Sequence, residues 1–147
     1  MNEYKFFVNE EKGIVVATIK RQELSRLVWS MSMKKVCRGI FGSSDDFFTM
    51  DDVVLGLFYK WFNKRYKFSA LSATARCNFE AGDAFDEEIG RYIAEDKLDV
   101  KVANIAREFC YYMCEQLCIF ADAARRKAWS LSDFIVKTED NLYELGD

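Results

Sequence analysis

Ser69–Lys97, SALSATARCNFEAGDAFDEEIGRYIAEDK, is the stretch whose reading decides the fold. It reads as an extended run, a short acidic turn, and a helix opened by Phe85-Asp86-Glu87-Glu88. Phe68, Ala70, Leu71, Ala73, Ala75 and Cys77 interleave with Ser69, Ser72, Thr74 and Arg76. That imperfect alternation predicts a strand over about 68–77, taken as the central strand of a sheet. Its many small residues suit a sheet against which something packs closely. Asn78 to Ala84 forms the turn. Asp86 is placed to cap the following helix, and Glu87 and Glu88 put negative charge at its positive end.

Working outward, the N-terminal segment supplies partners for that strand. Tyr4-Lys5-Phe6-Phe7-Val8 and Ile14-Val15-Val16-Ala17-Thr18-Ile19 flank the polar turn Asn9-Glu10-Glu11-Lys12-Gly13. The pattern predicts a β-hairpin within residues 1–20, which needs a third strand or a helix to be stable. From Gln22 to about Cys37, Leu24, Leu27, Val28, Met31 and Val36 recur at helical spacing. Lys34, Lys35 and Arg38 place positive charge at that helix's end, and Gly39 and Gly42 mark its stop. Thr49 with Asp52 reads as an N-cap for a second helix, about Met50 to Tyr66, with an apolar stripe of Val53, Val54, Leu57, Phe58, Trp61 and Phe62.

Downstream of Glu88, little interrupts helix until about Trp129; the stripe permits one long helix or two with a kink near Lys97 to Val100. Ser130-Leu131-Ser132-Asp133 starts a short last segment, in which Phe134, Ile135, Val136, Leu142 and Leu145 are candidates for burial. The expected architecture is α+β: a small antiparallel sheet, made of the N-terminal hairpin and the strand at 68–77, packed against several helices, the last of them long. Its 147 residues fit a single domain, 1–147. Within it lie the hairpin (1–20), a helical insert (21–66), the strand-turn-helix (68–97) and a C-terminal helical part (98–147).

Composition narrows the function classes. Half the residues are hydrophobic, which argues against disorder, and the net charge of −3 gives no global basic surface for nucleic acid. Histidine is absent, which removes Ser-His-Asp and Cys-His catalysis. No glycine-rich phosphate loop or Gly-x-Ser-x-Gly elbow occurs. The expectation is therefore a protein that is not an enzyme and uses no cofactor and no metal. The five cysteines, Cys37, Cys77, Cys110, Cys114 and Cys118, lack paired spacing and fit reduced thiols in a cytosolic compartment. Without a signal-like N-terminus or a span of roughly 20 apolar residues, a soluble intracellular protein without membrane contact is expected.

Three constellations carry candidate chemistry. Cys110, Cys114 and Cys118 share one helical face, but structural zinc needs a fourth ligand and turns that fold around the ion; packing in a helical seam is the simpler account. Glu80, Asp83, Asp86, Glu87 and Glu88, with Asp45, Asp46, Asp51 and Asp52 elsewhere, lack the calcium-loop pattern. Either they cap and solvate, or they form a negative patch that competes with nucleic acid for a basic protein groove. Lys60, Lys64, Arg65 and Lys67 lie among Tyr59, Trp61, Phe62 and Tyr66; such interleaving serves single-stranded nucleic-acid binding, or simply an amphipathic helix with its aromatics inside. Arg125-Arg126-Lys127 is explained by the dipole at a helix end.

Two blocks carry a resemblance. Phe6 to Ala17 (FVNEEKGIVVA after Phe6) resembles the opening "F-x-[IV]-N-E-x-K-x-x-V-V" of small proteins from bacterial phages and prophages. Ala75 to Gly90, followed by Ile93-Ala94 and Lys97, is similar to their "A-[KR]-C-x-x-x-D-x-F-D-x-x-x-G-x-x-[IL]-A" segment, with a longer stretch here between Cys77 and Asp83. The resemblance implies a phage or mobile-element accessory protein of the bacterial host cytoplasm. Within that class, small acidic domains include anti-CRISPR proteins, non-enzymatic inhibitors that occupy a surface of a Cas effector. A host CRISPR-Cas effector is then the implied protein partner, met by Glu80, Asp83, Asp86, Glu87 and Glu88 together with the loop residues Asp45, Asp46, Phe47 and Phe48. Nucleic-acid binding through Lys60, Lys64, Arg65 and Lys67 is the alternative. Self-association as a homodimer through the apolar long helix is the third reading.

Overall fold

The computed structural model describes residues 4–41 and 50–146. Thr49 and the loop residues Asp45, Asp46, Phe47 and Phe48 lie outside them. The chain is α+β, as its strand and helix patterns predict. It divides into two compact units, Met1–Cys110 and Tyr111–Asp147.

In the first unit, β1 (Lys5–Asn9), β2 (Ile14–Lys20) and β3 (Ala70–Arg76) form an antiparallel sheet in the order β1-β2-β3. The central strand is β2, which corrects the expectation for 68–77. Its alternation is the cleaner one: Val15, Ala17 and Ile19 are buried while Ile14, Val16 and Thr18 are only partly covered. Such a strand has a partner on each side, whereas the small residues of β3 occupy an edge. Register places Val15 opposite Val8 and Ala75, and Ala17 opposite Phe6 and Ala73.

The hairpin turn depends on Gly13, at φ +63°, a conformation that L side chains rarely adopt. A Cβ there would also lie 2.6 Å from the Phe79 ring. The exposed edge of β3 is closed by side chains. Lys97 and Lys101 donate to the carbonyls of Thr74 (3.1 Å) and Ser72 (2.7 Å). Four helical residues advance about 6 Å and two strand residues about 7 Å, so lysines four apart match carbonyls two apart. Charged lysines on an edge also discourage pairing with another chain.

Helices α1 (Arg21–Met31), α2 (Lys34–Phe41), α3 (Met50–Arg65) and α4 (Glu87–Leu145) complete the chain. Instead of one helix from 22 to 37, the chain breaks at Ser32-Met33. Ser32 leaves helical geometry (φ −93°, ψ −84°) while its N–H still donates to the Val28 carbonyl and its hydroxyl to that of Trp29. Short polar side chains that satisfy nearby backbone in this way favour helix ends. Lys34 and Lys35 consequently sit in the first turn of α2 and not at a favourable C-terminus, and Gly39 lies inside α2 and does not stop it.

The core is aromatic. Phe58 meets Phe109 edge-on at 4.9 Å, with Trp29, Trp61 and Phe62 around it at 5.6 to 6.3 Å. Val15, Ala17 and Ile19 of β2 and Ala94, Leu98 and Val102 of α4 are all buried. Arg21 ties the β2–α1 junction to the chain after α3: its guanidinium donates to the Phe68 carbonyl and the Asn63 side chain and stacks over Phe62 at 4.9 Å.

The second unit is the continuation of α4, which runs unbroken to Leu145. The helix is continuous through 97–100, one helix and not two, and no new segment begins at Ser130. Ser132 and Thr138 return their hydroxyls to the carbonyls four residues back, at Ala128 and Phe134, and so remain helical. Phe134, Ile135, Val136, Leu142 and Leu145, expected to bury part of the segment, are all exposed. Arg125-Arg126-Lys127 lies well inside the helix, so the dipole at a helix end does not account for it.

Candidate functional site

The site that the sequence points to is the turn between β3 and α4, and it is built from backbone hydrogen bonds. Cys77 N–H donates to the Gly13 carbonyl at 2.7 Å, fixing the end of β3 to the hairpin turn. The Asn78 side chain then accepts from Ala81 N–H (3.2 Å), closing a single 3-10 turn over Phe79–Ala81. The Cys77 thiol reaches the Asp83 carbonyl at 3.6 Å. Asp86 does what its position predicts: a carboxylate oxygen accepts from Ile89 N–H at 3.1 Å and caps α4.

Close packing then sets where α4 leaves the turn. A Cβ on Gly90 would come within 2.6 Å of Val15 Cγ2, so glycine lets the first turns of α4 lie directly on β2. Glu87 pairs with Arg91 at 2.8 Å, and Arg91 stacks over Phe6 at 5.2 Å, which fastens the helix to β1 as well.

This arrangement leaves Glu80, Asp83, Asp86, Glu87 and Glu88 exposed on one continuous segment. Glu87 is committed to Arg91 and Asp86 to the cap; the carboxylates of Glu80, Asp83 and Glu88 make neither a hydrogen bond nor an ion pair. The turn borders a groove of about 300 Å³ with Val15, Ala75, Ile89 and Ile93 at its apolar part and Arg76, Asp83 and Asp86 at its polar part. That volume is at the small end for a ligand site and matches one or two side chains of a docking protein.

The other candidate residues fall elsewhere. Lys60, Lys64, Arg65 and Lys67 are exposed at the end of α3, but Trp61 and Phe62 are buried behind them. Arg65 points to Glu108 (3.5 Å) and lies 5.9 Å over the Trp61 ring. Tyr66 donates to Glu108 and its phenol is pushed up to about 12, first by burial and then by that hydrogen bond and the adjacent carboxylate charge. Of the aromatics that would stack on bases, Trp61 and Phe62 are therefore occupied in the core and Tyr66 is half-buried against their rings, while Tyr59 is exposed.

The cysteine row is not a packed seam: Cys110 is half-buried, and Cys114 and Cys118 are exposed. Among the described residues no three His, Cys, Asp or Glu side chains converge as metal ligands. Among them, too, no helix is long and apolar enough to cross a membrane.

Two functional features escape a reading of the sequence alone. One is the groove beside the turn, which depends on how α4 crosses β2. The other is the exposure of the distal apolar residues of α4, whose 3–4 spacing looks the same whether or not anything covers it. Comparison of the chain with protein-family models, with curated proteins and with solved structures finds no match.

Proposed function

We propose that the protein is a non-enzymatic inhibitor that binds a basic, nucleic-acid-handling surface of another protein through the acidic turn Glu80–Glu88. One observation carries the reading: three carboxylates of this turn, Glu80, Asp83 and Glu88, are exposed and uncommitted beside an apolar groove, on a backbone held by the Asp86 cap and the Cys77–Gly13 bond. A fixed negative surface attracts a basic groove at long range, and an adjoining apolar recess gives the encounter a place to lock. Non-enzymatic action is supported by a chain without histidine and by a groove whose thiol, Cys77, is directed at the Asp83 backbone carbonyl.

The resemblance of Phe6–Ala17 and Ala75–Gly90 to phage accessory proteins makes a CRISPR-Cas effector in the bacterial cytoplasm the first partner to try. The nucleic-acid reading has less support, because Trp61 and Phe62 are unavailable for stacking.

The test is nuclease-treated capture of a purified Cas effector by the tagged protein, compared with a Glu80→Lys, Asp83→Lys, Glu88→Lys triple variant. These three positions spare the cap and the Glu87–Arg91 pair. The wild type is expected to retain the effector, and the variant to lose at least about tenfold in affinity, ~1.4 kcal/mol, at unchanged thermal stability. Equal retention by the two proteins removes the acidic turn from the account.

A further inference from the structure

The second unit presents a surface that the acidic-turn reading does not use. Between Leu117 and Leu145, eleven large hydrophobic side chains are exposed, Phe120 at 73%, Leu142 at 64% and Leu145 at 84% among them. Single proteins rarely leave so much apolar surface in water without a partner for it. Six of the eleven, Leu117, Phe120, Leu131, Ile135, Leu142 and Leu145, are also ordered. From Leu117 to Leu145 a mainly aliphatic stripe recurs in steps of three and four, with one four-four step at Phe120-Ala124-Ala128, and stays within roughly a 100° sector of the helix. The opposite side carries Asp122, Arg126, Asp133 and Asp140, interspersed with the exposed Ile119, Trp129, Val136 and Tyr143.

We infer that this stripe pairs with the same stripe of a second copy of the chain, antiparallel, with the two-fold axis beside Asp133. Two independent features of the sequence, set on a continuous helix, select that partner and that register. The first is size. Residues equidistant from Asp133 face each other, which sets Leu131 opposite Ile135, Ala128 opposite Thr138, and Ala124 opposite Leu142. Ala124 meets the much larger Leu142 and Ala128 the slightly larger Thr138, so no level of the seam sets two alanines together.

The second feature is charge. The basic block Arg125-Arg126-Lys127 lies as far before Asp133 as Glu139, Asp140 and Asn141 lie after it. An antiparallel pair sets the basic block level with the acidic block twice over, with Arg126 and Asp140 on the far side of the helix, whereas an in-register parallel pair sets each block level with itself. A two-fold axis perpendicular to the helices also keeps each flank of the stripe on its own side. Arg125, which pairs with Asp122 of its own helix at 3.0 Å, shares one flank with Glu139, so Arg125 of each copy also comes beside Glu139 of the other. This gives the mid-helix basic block a role that the helix dipole cannot supply. The overlap from Phe120 to Gly146 spans about 40 Å at 1.5 Å per residue, a long enough seam for stable pairing of helices.

The experiment is sedimentation equilibrium on the full chain across a wide concentration range, with charge-swapped variants. The wild type is expected at twice 17.2 kDa. Arg125→Glu and Glu139→Arg are each expected to weaken association at least about tenfold, and the double swap to restore it. Far-UV circular dichroism on every variant confirms that α4 is intact; all the altered positions are exposed, so folding is expected to be unchanged. A wild type that stays monomeric at its highest soluble concentration overturns the inference. A dimer in which the double swap remains as weak as either single variant overturns the register. The Glu80, Asp83, Glu88 triple variant is expected to dimerise like the wild type, so failure of the acidic-turn reading and failure of this one are separate results.

Discussion

The two halves of α4 carry the same kind of sequence and meet opposite fates. From Ala94 to Phe109, the 3–4 spaced Ala94, Leu98, Val102, Ile105 and Phe109 are buried. From Leu117 to Leu145, a similarly spaced stripe is exposed. Periodicity tells a reader which face of a helix is apolar; it does not tell what that face will meet. In the proximal half the identity of the cover is written elsewhere in the chain, in the alternation of β2 and in the aromatics of α3. In the distal half no remaining segment among the described residues supplies a cover, and the pattern of charges becomes the only guide to one.

The largest expected effect tests this contrast directly. Phe109→Ala removes a fully buried ring from the Phe58–Trp61–Trp29 cluster and is expected to cost about 3–5 kcal/mol in urea unfolding. Phe134→Ala, at 65% exposure, is expected to change the monomer's unfolding free energy by less than about 0.5 kcal/mol. Equal costs at the two positions would erase the distinction between the halves.

A smaller effect follows from the start of the helix. Gly90→Ala adds a methyl 2.6 Å from Val15 Cγ2 and is expected to cost about 1–3 kcal/mol, even though alanine is the better helix former. A neutral or stabilising result, read from the same unfolding curves, would mean that α4 does not lie against β2 as closely as described.

The smallest effect is a titration confined to the proximal half. Tyr66 donates to Glu108 of α4, and its phenol is raised from 10.0 to about 12, so the folded state holds the proton more tightly than the unfolded chain. That contribution is fully present below pH 10 and is lost as the pH rises from 10 through 12. Tyr66→Phe is expected to flatten this limb relative to the wild type in alkaline unfolding monitored by circular dichroism. Parallel limbs for the two proteins would remove the Glu108 contact from the account.

Much of the fold was legible in the sequence. The hairpin followed from two β-branched runs around a Gly-ended turn, β3 from its alternation, and the Asp86 cap from its place before an uninterrupted helical pattern. What misled were features that local rules cannot weigh. Ser32 ends α1 where its backbone leaves helical φ/ψ and its hydroxyl takes up the Trp29 carbonyl; of the two glycines expected to stop the helix, Gly39 lies inside α2 and Gly42 outside the described residues. Ser130 and Ser132 suggested a boundary and are helical, since a hydroxyl that bonds back to the carbonyl four residues earlier leaves the helix intact. β2 took the central place from β3 because strand order depends on which faces find cover, and that is a property of the whole chain.

Of the candidate site, the carboxylates were identifiable and their setting was not. No spacing rule indicates that Gly90 and Val15 touch, or that a groove opens beside Asp83 and Asp86 in consequence. The Lys60–Lys67 cluster shows the converse: the interleaving was visible, but only the burial of Trp61 and Phe62 distinguishes a core helix from a stacking platform.

The most direct test of the contrast between the two halves is amide hydrogen exchange along α4, measured at two widely separated protein concentrations. Protection from Glu87 to Cys110 is expected to be high and independent of concentration, because its cover belongs to the same chain. Protection from Leu117 to Leu145 is expected to rise with concentration, because its cover is a second copy. Distal protection that is identical at both concentrations would contradict the account.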